Sequence, residues 1–115
     1  ILDTLQSTTS SFRVAVIDYR DFPERTGSST DYPARIVLDF SNEPSSITAA
    51  IDSLAADGGG DGPETVYSAM HAAFTSLMWR DGVVKSALVL GDAPPLMGSD
   101  GAEPISGLTP SQIID

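Results

Sequence analysis

Apolar residues along this chain fall into two kinds of block, short dense runs and longer stretches with helical spacing. Residues 12–19 read Phe-Arg-Val-Ala-Val-Ile-Asp-Tyr, β-branched and aromatic and nearly apolar throughout, the pattern of a strand covered on both faces. Residues 34–40, Ala-Arg-Ile-Val-Leu-Asp-Phe, predict a second strand, bounded by Pro33 on one side and Ser41-Asn42 on the other. Residues 83–90, Val-Val-Lys-Ser-Ala-Leu-Val-Leu, predict a third, buried strand.

The helical blocks lie around these runs. Ile1, Leu2 and Leu5 suit the tail of a helix that stops at the Ser/Thr cluster of residues 7–11. Ile47, Ala50, Ile51 and Leu54 share one helical face, with Ser41 or Asn42 as cap and Pro44 opening the first turn. Residues 63–78 give the clearest helix: Val66, Ala69, Met70, Ala73 and Leu77 form one stripe with Phe74 beside it, and Asp61 and Glu64 have capping-box spacing. Thr109-Pro110 predicts the start of a last helix. Loops rich in Asp, Gly, Ser and Pro fill residues 20–33 and 91–107. The order helix, strand, strand, helix, helix, strand, loop, helix predicts an α/β fold: three layers, a mainly parallel sheet with helices on both faces.

Composition narrows the class without changing this picture. A chain of 115 residues holds one domain, and 41% apolar with 19% charged residues is ordinary for a globular protein. Six basic against sixteen acidic residues give a net charge of -10, which repels nucleic acid and anionic lipid and attracts cations. There are no cysteines, so disulfides and thiolate chemistry are excluded. No apolar run approaches the roughly 20 residues of a membrane-spanning helix, so no membrane insertion is expected.

Ligands of open parallel sheets gather outside the carboxyl ends of the strands. Those ends carry Asp18 to Asp21, the segment from Asp57 to Glu64, and Gly91-Asp92-Ala93-Pro94. Here Val14-Ala15-Val16-Ile17-Asp18-Tyr19-Arg20-Asp21 resembles the second strand of von Willebrand factor type A domains. Asp57-Gly58-Gly59-Gly60-Asp61-Gly62-Pro63-Glu64 resembles their glycine-rich turn into a helix, and Leu88-Val89-Leu90-Gly91-Asp92-Ala93-Pro94-Pro95 their fourth strand with its terminal aspartate. The resemblance spans residues 12–95 and implies a partial type A domain over residues 1–115, truncated at both ends. It implies a binding or adhesion module of a larger extracellular or cell-surface protein, with a protein ligand and a divalent cation, Mg²⁺ or else Mn²⁺ or Ca²⁺, at a metal-ion-dependent adhesion site.

Transferred by motif, Asp92 matches the aspartate of the family's third metal loop. The threonine of the second loop falls on Asp61 when the glycines are aligned, or on Thr65 with a shifted turn. Oxygen ligands of this kind suit Mg²⁺. The Asp-x-Ser-x-Ser motif of the first loop is absent, and residues 7–11 have hydroxyls but no leading Asp. An alternative implied by these departures is a structural or assembly module with a degenerate metal site. In the family the strand bearing the missing motif lies between those corresponding to residues 12–19 and 83–90. The resemblance therefore implies a gap filled by a strand-donating segment or a second copy of the chain, since buried strand edges do not stay unpaired.

Catalysis finds few parts. The glycine-rich turn lacks the Lys and Ser/Thr of a phosphate loop, there is no Gly-x-Ser-x-Gly elbow, and His71 is the only histidine. The expectation is a non-enzymatic protein. Asp18 and Asp21 read as turn residues bonding backbone amides, Tyr67, Phe74 and Trp79 as packing residues, and Leu96 and Met97 as loop apolars that tuck inward or meet a partner.

Overall fold

A computed structural model describes residues 2–8, 11–56 and 62–114. In chain order the elements are α1 (Leu2–Thr8), β1 (Val14–Asp18), α2 (Pro23–Thr26), β2 (Arg35–Ser41), α3 (Pro44–Asp52), α4 (Val66–Thr75) and α5 (Pro110–Ile114). No helix among the described residues is long and apolar enough to cross a membrane.

The expected three-layer, mainly parallel sheet is not what forms. Among the described residues the sheet has two strands, β1 and β2, and they run antiparallel. Val14 faces Ser41, Val16 faces Leu38, Ile17 faces Ile36 and Asp18 faces Arg35, with register shifts on either side of Val16. The direction is set by the connection and not by the strands' composition. Just beyond the last pair, Arg20 N–H donates to the Tyr32 carbonyl at 3.2 Å, which turns the chain back beside β1. Between them α2 is a single turn opened by Pro23 and closed by Gly27, whose left-handed φ of 74° favours glycine.

Residues 83–90 are the second correction. They are exposed throughout and join no ladder among the described residues. The main chain of residues 84–89 makes no hydrogen bond to other described residues. Their apolar composition suits a buried strand, but composition does not provide the neighbour that burial requires.

The core lies where helices meet the small sheet. Helix α3 packs on β1 and β2, and α4 packs on β1 and α5. Phe22, Ile47, Ala50, Ala69, Leu96 and Ile113 are buried. In α3 the predicted face is only half used, since Ile51 and Leu54 are exposed. Its N-cap is Glu43, with Ser41 Oγ accepting the Glu43 N–H at 3.1 Å, in place of the predicted Ser41 or Asn42 cap. Helix α4 begins at Val66, three residues later than predicted, because the backbone of Glu64 and Thr65 is bonded into the tertiary structure. Trp79 packs edge-to-face on Phe40 at 4.7 Å and donates its indole N–H to the Ala73 carbonyl at 2.7 Å.

Candidate functional site

Three segments meet at the carboxyl end of β1. The Thr65 N–H donates to the Arg20 carbonyl at 3.1 Å, the Glu64 N–H to the Pro94 carbonyl at 3.0 Å, and the Leu96 N–H to the Glu64 carbonyl at 2.7 Å. Glu64 and Pro95 form an isolated parallel bridge. The loops bearing Asp92 and Thr65 are thereby drawn beside the end of β1.

Tyr19, the residue after β1, reaches across this junction and donates its hydroxyl to the Leu90 carbonyl at 2.9 Å. Burial pushes the Tyr19 pKa up, and the nearby charges of Glu64 and then Asp92 push it further. Gly91 is needed for this approach: a Cβ there would stand 2.5 Å from the Tyr19 hydroxyl oxygen. The site is thus a phenol with two carboxylates, at the end of the exposed apolar run.

The sequence-predicted ligands are differently disposed. Asp92 is exposed at this junction. Thr65 is fully buried, its hydroxyl 2.6 Å from the Pro33 carbonyl and 3.0 Å from the Arg20 carbonyl. It therefore latches the loop after β1 and presents no solvent-facing oxygen. Asp61 lies outside the described residues. Among the described residues no group of three or more His, Asp or Glu side chains could hold a metal.

The loop between β1 and β2 is held by its own charges. Asp21 is fully buried, accepts the Phe22 N–H at 2.7 Å and takes the Arg25 guanidinium through both carboxylate oxygens, at 3.1 and 2.8 Å. Tyr32 donates to Asp18, and its ring lies 4.8 Å and 4.6 Å from the guanidinium carbons of Arg20 and Arg35. Asp31, also buried, accepts the Thr26 hydroxyl at 2.5 Å. The sequence reading gave Asp18 and Asp21 a turn role; the arginine partners are additional.

Sequence reasoning missed Tyr19 and Glu103, and gave Glu64 only a capping role. Glu103 is fully buried in the loop before α5, accepts the Ser68 N–H at 3.1 Å and the Ser68 and Ser106 hydroxyls, and so caps the first turn of α4 from a distance. No local pattern marks it, because the partner lies 35 residues away. Leu96 tucks inward, and Met97 is exposed. No protein-family model, curated protein or solved structure matches the chain.

Proposed function

We propose that the chain is a protein-binding module, not an enzyme, which takes up an extended segment of a partner along residues 83–90. One observation carries the reading. Within this run every residue is exposed, and five apolar side chains face solvent: Val83, Val84, Leu88, Val89 and Leu90 at 39%, 94%, 66%, 44% and 74%. So much apolar surface gathered in one short run marks a site of interaction. Such a surface, with the main chain of residues 84–89 unbonded to other described residues, offers both halves of strand addition, hydrogen bonds for affinity and apolar side chains for specificity. Without a partner, a second copy of the chain takes the same place.

The resemblance of residues 12–95 to von Willebrand factor type A domains supports the same class of function, adhesion, and an extracellular or cell-surface location. Sedimentation velocity tests the reading. The chain associates as its concentration rises, and Val84→Lys with Leu88→Lys abolishes association. A monomer at every concentration, with no gain from an added apolar strand peptide, contradicts it.

A second reading, a structural or assembly module with a degenerate metal site, is favoured by Thr65, whose hydroxyl is engaged by two carbonyls. Calorimetric titration of Mg²⁺, Mn²⁺ and Ca²⁺ separates the two. Saturable binding lost in Asp92→Ala supports cation-assisted recognition, and no binding supports the assembly reading.

A further inference from the structure

At the amino end of β1, away from Tyr19, residues Ser11, Phe12, Arg13, Asn42 and Arg80 line a cleft of about 230 Å³. The pairing of Val14 with Ser41 places Arg13 and Asn42 side by side in the fold. Arg80 follows Trp79, which is fixed on Phe40, and donates through Nη1 to the Ser11 hydroxyl at 3.0 Å. Two of the chain's six basic residues therefore face one cleft.

Their surroundings are unusual for so acidic a protein. Arg20, Arg25 and Arg35 all meet the carboxylates of Asp18 or Asp21. Arg13 and Arg80 have no carboxylate partner among the described residues, and no acidic residue lines their cleft. Glu43, which follows Asn42, and Asp81, which follows Arg80, do not line it. Two guanidinium groups sharing a cleft repel each other until an anion sits between them.

We propose that this cleft binds a compact oxyanion, the phosphate group of a small molecule. Guanidinium forks match phosphate oxygens two at a time, and the Asn42 amide adds a neutral donor. A tetrahedral phosphate uses such a surrounding set more fully than a planar carboxylate. The volume is below the roughly 300–1,000 Å³ of pockets that enclose whole drug-sized ligands, so the site grips a group and leaves the rest of the molecule outside. The net charge of -10 opposes long polyanions, which excludes nucleic acid as the source of the phosphate. The proposal is independent of strand uptake at residues 83–90.

Equilibrium dialysis of inorganic phosphate against the full chain at low ionic strength tests it, with acetate and chloride as competitors. The expected result is saturable binding of one phosphate per chain, poorly displaced by acetate, and weaker by about tenfold or more in Arg13→Gln and in Arg80→Gln, the loss of a charge-assisted contact. Arg13 is exposed, so Arg13→Gln keeps the fold, and an unchanged circular dichroism spectrum verifies this. Absence of saturable binding, displacement by equal acetate or chloride, or unchanged affinity in Arg13→Gln each overturns the proposal.

Discussion

The Tyr19 hydroxyl donates to the carbonyl of Leu90 at 2.9 Å, tying the end of β1 to the end of the exposed run across 71 positions of sequence. Tyr19→Phe removes this bond and leaves the carbonyl to water. The expected loss is about 1 kcal/mol of unfolding free energy, the ordinary net worth of one hydrogen bond, read by urea titration. A larger effect is expected on amide exchange near Leu90, where this bond is the local tether.

The raised pKa of Tyr19 gives a pH dependence with a definite sign. The folded state holds the phenolic proton more tightly than the unfolded chain does. Its contribution is therefore complete below about pH 10 and is lost as the pH rises through the folded pKa. Tyr32 titrates in the same sense, because burial and then its bond to Asp18 raise its pKa, outweighing Arg20 and Arg35. Urea titrations on either side of pH 10 should show Tyr19→Phe losing less stability than the parent, while keeping the part due to Tyr32.

Asp92→Ala removes one of the charges that raise the Tyr19 pKa. The tyrosinate absorbance assigned to Tyr19, by difference from Tyr19→Phe, then appears at lower pH than in the parent. Glu64→Gln shifts it further, since Glu64 is the larger of the two charge effects. No shift in either variant would place both carboxylates too far from the phenol for the site described above.

Much of this was legible in the sequence, and the failures have physical causes. The β-branched runs located β1 and β2, because a pleated, half-buried surface selects such residues. Their antiparallel direction was not legible, since it depends on the Arg20–Tyr32 turn, a contact between loop residues. Residues 83–90 carry the same signal as β1 yet lie exposed, since apolar composition records a preference for burial and not the presence of a covering partner. Asp92 was singled out by a rule for parallel sheets and by the resemblance, and it lies exposed beside Tyr19, an aromatic partner neither of them pointed to. Thr65 was found as a hydroxyl, but its two carbonyl partners come from Arg20 and Pro33, far away in sequence.

Gly91→Ala places a Cβ 2.5 Å from the Tyr19 oxygen, closer than real contacts permit. The ring must swing away and release Leu90. A destabilisation of about 1–3 kcal/mol is expected from overpacking, and it should be smaller in a Tyr19→Leu background, which lacks the obstructing ring end.

Glu103→Ala leaves the Ser68 N–H and the Ser68 and Ser106 hydroxyls without their shared acceptor, at the first turn of α4. The expected cost is about 2–3 kcal/mol, because a charged, buried acceptor is lost from a helix terminus. Chemical denaturation measures it. Glu103→Gln should recover part of the loss by keeping one acceptor oxygen.

Amide hydrogen exchange of residues 84–90 as a function of protein concentration tests strand uptake most directly. At high dilution these amides should exchange near open-chain rates. Protection should appear as copies associate, or on addition of an apolar strand peptide. Fast exchange at every concentration and with every peptide, or full protection in the dilute monomer, would contradict the account.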